Sequence, residues 1–356
     1  MHGDVSIGPR DFDVLTSDVL SEVERDRLLP ADPPSVVDPM LATLSANLTR
    51  GNEWVYEPKL DGVRVVASRH GDDVRLRSRN RLPQEGTYPE IVDALAAQPC
   101  DDVVVDGEVV AFDDGVPSFS RLQGRMQIND PVRARRSGIE VAYCVFDLLY
   151  VAGYDTTHLP TVARKRLLAA VLDVDVAGAN AARTLQLVRH AEGDPAVLLD
   201  LACQAGQEGL IAKRAAAPYQ QKRSRDWLKL KCSRRQEFVV GGWTDPEGSR
   251  TAFGSLLVGY YDEGDAGALT YAGKVGTGFS EAALGDLSRA LHQRARPDSP
   301  FARGAPPRKG VHWVEPDLVC EVAFTEWTRD GRLRHPRFLG LRSDKDARNV
   351  VREEAV

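Results

Sequence analysis

From Trp54 onward the chain breaks into short runs in which apolar and polar side chains alternate. Trp54-Val-Tyr-Glu-Pro-Lys, Gly62-Val-Arg-Val-Val-Ala-Ser and Asp73-Val-Arg-Leu-Arg-Ser have the period of two expected of half-buried strands, with Gly and Asp at the turns. Asp102 to Phe112 reads as strand, turn and strand with the turn at Asp106-Gly107, and Glu140 to Leu149 as one buried strand. Tyr88 to Ala97 predicts a helix with Pro89 near its start, where a missing N–H costs nothing. Val162 to Val171 predicts a surface helix with Arg164, Lys165 and Arg166 outward, and Glu192 to Gln207 a further helix ending at Gly206 or Gly209. Leu210 to Lys213 and Trp227 to Lys231 are two more short strands. In the second, Lys229 and Lys231 share one side while Leu228 and Leu230 face a core.

The pattern changes near residues 232–236. Val239-Val-Gly-Gly-Trp, Gly254 to Tyr261, Leu269 to Gly276 and Val319 to Trp327 are short strands separated by Gly-rich turns, interrupted by one helix near Ala282 to Arg296. They predict a small barrel. Before the first strand lie an acidic segment, with a short helix expected from Ser17 to Leu29, and a linker over residues 30–39 that holds four prolines.

At 356 residues and 42% hydrophobic, the chain can build two good cores. Its net charge of -6 argues against a polyanionic partner, but the distribution of charge reverses that reading. Residues 213–235 hold nine Lys or Arg against one Asp; residues 329–352 hold eight basic and three acidic side chains; residues 64–81 hold six arginines against two aspartates. The acidity is partly a property of residues 1–32, with eight acidic and three basic side chains. These strips suit a polyanion. The five cysteines lie far apart, with neither a metal-ligand spacing nor a disulfide framework, and no signal peptide or membrane span is apparent, so a reducing cytoplasm is the expected setting.

Chemistry concentrates around Lys59, in Tyr56-Glu-Pro-Lys-Leu-Asp-Gly-Val-Arg64. An ammonium with an ordinary pKa of about 10.4 is not a nucleophile at neutral pH. Partial burial beside Tyr56, Leu60 and Val63, or nearby cations, would make it one; a strand-end lysine snorkelling to solvent is the plain alternative. Glu108, past the expected turn, and Glu208, at a loop-to-strand junction, could share a divalent cation with water and phosphate. Lys229 and Lys231 on one side of a strand suit a triphosphate, and Phe146 could stack on a purine.

In that order these segments resemble the motifs of covalent nucleotidyltransferases, and within them the ATP-dependent DNA ligases, most closely the ligase module of multifunctional bacterial end-joining ligases. The resemblance covers residues 39–351. It rests on Lys59-Leu-Asp-Gly-Val-Arg64, Ser78-Arg-Asn80, Asp106-Gly-Glu108, Val145-Phe-Asp-Leu-Leu149, Glu208 to Lys213, Trp227 to Lys231, and the tail from Thr325 to Lys345. It implies an α+β fold: an acidic extension over residues 1–35, an adenylation (nucleotidyltransferase) domain of antiparallel sheets and helices over 36–233, and a β-barrel OB-fold domain over 234–356. It implies ATP and Mg2+ or Mn2+ as cofactors, nicked duplex DNA as partner, and a monomer without membrane association, assisted by end-joining proteins such as a DNA-end-binding protein.

The same resemblance implies roles. Lys59 would attack the α-phosphorus, and Arg64 and Arg79 would contact phosphate or ribose, with Arg79 also meeting the 5'-phosphate of the nick. Glu57 would present backbone to the adenine edge and Phe146 would stack on the ring. Glu108 would bind the ribose or order the metal shell and Glu208 would hold the metal. Lys213, Lys229 and Lys231 would neutralise phosphate, and Arg342, Asp344 and Lys345 would orient the leaving pyrophosphate. An RNA ligase or mRNA-capping guanylyltransferase shares the lysine chemistry, and a non-catalytic nick-binding protein is the rival of another class.

Overall fold

The computed structural model describes residues 16–353 apart from 46, 50, 114–115, 174, 177–183, 233–234, 247–251 and 263–264. The chain divides into two compact units after Cys232. In chain order the first contains β1 (Leu41–Leu44), β2 (Trp54–Pro58), β3 (Val63–His70), β4 (Asp73–Ser78), α1 (Pro89–Ala96), β5 (Asp102–Val110), α2 (Phe119–Met126), α3 (Pro131–Arg136), β6 (Ala142–Val151), α4 (Thr161–Val171), α5 (Pro195–Gln204), β7 (Gly209–Arg214) and β8 (Arg223–Lys231).

Two sheets organise this unit. The larger carries the antiparallel run β6-β5-β3-β4, and the smaller has the order β1-β8-β7-β2. Alternation sorts the side chains of the larger sheet. Val65, Ala67, Val103, Val105, Tyr143 and Val145 pack with Ile91, Leu95, Leu122 and Leu167 from the helices, whereas Val66, Val104, Cys144 and Phe146 pack with Tyr219 and Trp227. The smaller sheet turns Trp54, Tyr56, Leu210, Ala212, Leu228 and Leu230 to α5, which meets them with Ala202, Leu198 and Leu199. That helix starts where Asp194 accepts from the N–H groups of Ala196 and Val197 and Pro195 supplies the first turn.

Four expectations need correction. Asp102–Val110 is one continuous strand, so Glu108 stands within it and not beyond a turn; a register shift at Asp106/Gly107 absorbs the irregularity. Arg164 and Lys165 on α4 are buried, because both find carboxylate partners inside the unit. Cys203 and Cys232 form a disulfide: the strand ending at Lys231 returns the chain to α5 and brings the two Cα atoms to 5.4 Å. The N-terminal helix is reduced to short pieces, of which Glu22–Arg25 is closed by a reciprocal capping box between Ser21 and Glu24. Residues 1–15 of the expected acidic extension lie outside the described residues.

The second unit is built on β9 (Arg235–Thr244), β10 (Leu256–Asp262), β11 (Asp265–Val275), α6 (Glu281–His292), β12 (Val311–Val314), β13 (Val319–Ala323) and β14 (Arg337–Leu341). Along one edge β9 pairs first with β13, through Arg235 to Val239, and then with β12, through Gly242 to Thr244. Its other edge pairs with β10, with a register shift between Val240 and Gly242. One strand serving two partners bends the sheet into a curl around Phe238, Val240, Leu256, Val258 and Val322. Among the described residues the curl does not close into the full barrel expected from the sequence.

Candidate active site

Strand register assembles one charged face. Glu57 lies opposite Ile211, which lies opposite Lys229; Lys213 lies opposite Trp227, and Gly209 opposite Lys231. Directly opposed residues point to the same side of a sheet. Glu57, Lys213, Trp227, Lys229 and Lys231 therefore share the face away from the α5 core. Trp227 and Lys231 are four residues apart, or about 13 Å along the strand. Arg64, Glu108 and Cys144 are likewise opposed on β3, β5 and β6. Cys144 packs with Phe146 and Trp227, and its thiol is pushed up to about 12 by burial and by Glu108. Within this unit the two sheets thus face each other across a lining of Arg64, Glu108 and Phe146 on one side and lysines on the other.

Lys59 stands one residue beyond β2. Its main-chain N–H donates to Gly209 O at 2.8 Å, and Nζ contacts the buried Glu208 carboxylate. Two glycines make this end tight. Gly209 has φ +144°, and a Cβ there would run into the Leu230 carbonyl. A Cβ on Gly62 would meet the Val109 carbonyl, so the Leu60-Asp61-Gly62 turn after the lysine lies flush against β5. The side chain of Lys59 keeps 19% of its exposure, against 3% for Glu208.

The opposite end of the face is aromatic and buried. Phe146 meets Trp227 edge-on at 6.1 Å between centroids, and the Arg64 guanidinium carbon stands 4.6 Å from the Phe146 centroid. Arg64 forms a two-point ion pair with Asp106, whose Oδ2 also accepts from Tyr219 Oη at 2.6 Å. Burial opposes the charge on Arg64, but Asp106 outweighs it and holds the guanidinium charged above its ordinary range. Lys213 Nζ lies 4.0 Å from the Trp227 centroid, 4.5 Å from that of Phe146 and 2.8 Å from Glu57 Oε2. Burial pushes the Lys213 ammonium down to about 8, Glu57 pulls the other way, and Lys165 adds to the fall. Glu57 Oε1 accepts from Lys165 Nζ at 2.5 Å.

Within the first unit Glu57, Lys213, Lys229 and Lys231 share one sheet face, and Lys59 contacts Glu208 at its end; two placements differ from expectation. Lys213 lies at the aromatic end, against the Trp227 and Phe146 rings. Glu57 is a buried carboxylate between two cations; since Tyr56 exchanges main-chain bonds with Ala191 on the outer edge of β2, alternation turns the main chain of Glu57 toward β7, away from an open edge. Arg79 follows the end of the edge strand β4. Asp106, Tyr219, Arg164 and Lys165 were not singled out from sequence. Helical spacing carried a signal for Arg164, which shares a face with Leu168 and Val171. Among the described residues no group of three His, Cys, Asp or Glu side chains could hold a metal ion. Glu108 and Glu208 offer two hard oxygen donors, a set that suits a cation sharing its shell with phosphate and water.

In the second unit Arg342 forks onto Asp344, Nε to Oδ1 at 2.9 Å and Nη2 to Oδ2 at 2.8 Å, and reaches Glu321 at 3.5 Å. Lys345 pairs with Glu237 at 3.2 Å. Burial opposes ionisation of Asp344, yet Arg342 holds its carboxyl below the usual range.

A lysine one residue beyond a strand, a buried aromatic cluster and a row of lysines thus lie along one face between two sheets. Residues 39–231 match the ATP dependent DNA ligase domain and residues 249–345 the ATP dependent DNA ligase C terminal region. The chain belongs to the family of ATP-dependent DNA ligases. It is 38% identical over 323 residues to the multifunctional non-homologous end joining protein LigD of Pseudomonas aeruginosa, covering 90% of this chain and 37% of that protein. It is 39% identical to the corresponding repair protein of Mycobacterium tuberculosis, covering 88% of this chain and 40% of that one. The chain therefore spans about two fifths of the length of these relatives. A structure of mycobacterial DNA ligase D complexed with ATP and MES superposes with a TM-score of 0.61 at 35% identity, over 89% of this chain and 98% of that one. The α+β fold, with its curled OB-like second unit, is the fold of that ligase. No helix among the described residues is long and apolar enough to cross a membrane.

Proposed function

We propose that this chain seals nicks bearing a 3'-hydroxyl and a 5'-phosphate in duplex DNA, using ATP, through an AMP adduct on Lys59. The observation that carries the reading is Lys59 itself, pinned through its main chain to Gly209 and held by Glu208 at the end of a lysine-lined face. The nucleotide would lie along that face, its base at Phe146 and Trp227 and its phosphates toward Lys229 and Lys231. In the first step Lys59 Nζ bonds to the α-phosphorus and pyrophosphate leaves; Glu208 is the carboxylate in place to receive the Nζ proton. A phosphate oxygen at the nick then attacks the same phosphorus and the P–N bond breaks. The 3'-hydroxyl finally attacks the activated 5'-phosphate and AMP departs. Preorganised cations stabilise charge on the equatorial oxygens in each step.

Mg2+ or Mn2+ entering with the triphosphate would be held by Glu108 and Glu208 and would supply further charge stabilisation. Arg64 would reach ribose or phosphate only from its Asp106 pair, and Arg79 would meet the nick phosphate. Arg342, Asp344 and Lys345 would assist pyrophosphate departure after leaving their partners in the second unit. Salt-sensitive binding of nicked DNA with little sequence preference follows from the basic strips. Action as a monomer in a bacterial cytoplasm, with a DNA-end-binding partner, completes the proposal.

Incubation with α-labelled ATP and a divalent metal, followed by a nicked-duplex chase, tests it. Protein-bound AMP is expected to form, to be lost as nicks seal, and to be absent in Lys59→Ala. An adduct that persists in Lys59→Ala, or that forms preferentially from GTP, refutes the assignment.

A further inference from the structure

We propose that Lys165 is a positioning residue of the adenylation site, fixing the Glu57 carboxylate beside Lys213 and opposing the charge of Lys213 at the base end of the face. The inference rests on the reading of this face as an ATP site. Lys165 comes from α4, the helix whose cations the sequence directs outward, yet its side chain is only 7% exposed. Its Nζ donates to Glu57 Oε1 at 2.5 Å and to Val188 O at 2.8 Å, so a strand and a loop fix the ammonium from two sides. The second oxygen of Glu57 meets Lys213 at 2.8 Å. One carboxylate therefore lies between two buried ammonium groups.

That cluster carries an excess positive charge in a place with little water. Two ammonium groups sharing one carboxylate leave each incompletely neutralised, a costly arrangement unless another group supplies negative charge or acceptor atoms. The other charged groups turned to it are spoken for or neutral-leaning. Asp147 on β6 is taken by Arg164, and His190 is pushed down by burial and by Lys165. Lys213 otherwise rests on the Trp227 and Phe146 rings. A purine beside Phe146 brings ring-nitrogen acceptors to that end, where the Lys213 ammonium can donate. Lys165 touches neither ring, so it acts through Glu57 and through its field on Lys213.

Removing the Lys165 charge takes away one of the influences that lower the Lys213 pKa to about 8. The test is single-turnover AMP adduct formation by the full chain against ATP concentration, from about pH 6.5 to about pH 9.5, in wild type, Lys165→Gln, Lys165→Met and Lys165→Arg. In wild type the half-saturating ATP concentration is expected to rise roughly fivefold between pH 8 and pH 9, as the charged share of Lys213 falls from about half to about a tenth. Lys165→Arg keeps that limb in place. Lys165→Gln and Lys165→Met move it to higher pH while the saturating rate stays within about twofold. Gln preserves hydrogen bonding to Glu57 and Val188 without charge, so it reports even if Met does not fold. A limb that stays put in Lys165→Gln, or a loss confined to the saturating rate, overturns the proposal. Failure of the wild type to form any adduct would instead refute the ATP-site reading beneath it.

Discussion

Replacing Asp147 by Asn should destabilise the first unit severely and loosen the base end of the site with it. Arg164 Nε donates to Asp147 Oδ1 at 2.6 Å and Nη2 to Oδ2 at 3.0 Å, with neither side chain exposed at all. The guanidinium also donates through Nη1 to Leu159 O at 2.6 Å and to Ala217 O at 3.2 Å, so it cannot swing to water when its counter-charge is lost. Asn keeps the shape and removes the charge. Breaking a buried pair from one side costs about 3–5 kcal/mol, a large share of the roughly 5–15 kcal/mol that holds a domain together. At about 2–4 °C per kcal/mol for a unit of this size, melting should fall by roughly 6–20 °C. Asp147 adjoins Phe146 and Arg164 adjoins Lys165, so half-saturation by ATP should worsen even below the melting range.

Circular dichroism melts and urea titrations of wild type, Asp147→Asn, and the double variant Asp147→Leu/Arg164→Met supply the measurement. The double variant removes both charges, and its cost should fall below that of Asp147→Asn, at about 1–3 kcal/mol, the Leu148 N–H that donates to Asp147 Oδ1 and the Leu159 carbonyl that accepts from Arg164 being the main groups that lose a partner. Burial works against the Asp147 carboxylate, but Arg164 overrides it and holds the carboxyl below its ordinary 3.8. A depressed folded value means that the contribution is complete above about pH 4 and is lost as pH falls through the folded value. The gap between wild type and Asp147→Asn should therefore stay constant from neutral pH to about pH 5 and narrow only in stronger acid. A cost under about 1 kcal/mol, or a double variant as unstable as the single one, would show that the unit does not depend on the Asp147–Arg164 charge pair.

Two other outcomes follow from the same structure. Gly209→Ala should abolish AMP adduct formation and lower the melting temperature, because the residue has φ +144° and its new Cβ would strike the Leu230 carbonyl; a variant with normal adduct yield would show that the Lys59–Gly209 seam is not rigid. Reducing Cys203–Cys232, or replacing both by Ser, removes a crosslink closing about 30 residues and should cost roughly 3–4 kcal/mol in urea titrations; unchanged midpoints would contradict this.

Much of the first unit was legible because its strands obey the period of two. Leu228 and Leu230 against Lys229 and Lys231 put the apolar core and the charged face on the correct sides before any register was known, and the structure places them so. What alternation could not supply was partnership across the fold. Asp106 reads as a turn residue in Asp-Gly-Glu, yet it is the carboxylate on which Arg64 and Tyr219 converge from segments far apart in sequence. Cys203 and Cys232 gave no local sign of pairing for the same reason: their meeting depends on where a helix lies on a sheet.

The basic stretch in α4 shows why charge alone misleads. Arg164, Lys165 and Arg166 are consecutive, and a helix surface cannot keep three successive side chains on one side, since each step turns the direction by about 100°. Arg164 falls in line with Leu168 and Val171, Lys165 with Leu168 and Leu172, and Arg166 alone points out, to Glu24 at 2.7 Å. Leu168 and Val171 already mark the buried stripe, so the two cations on it had to meet buried carboxylates, and the chain supplies them at Asp147 and Glu57. Each of those carboxylates neighbours a residue assigned to the site, Phe146 in one case and, two positions on, Lys59 in the other. The helix therefore does more than cover the sheet: its two buried cations tie the strand bearing Phe146 and the strand that ends beside Lys59 to a single rigid element.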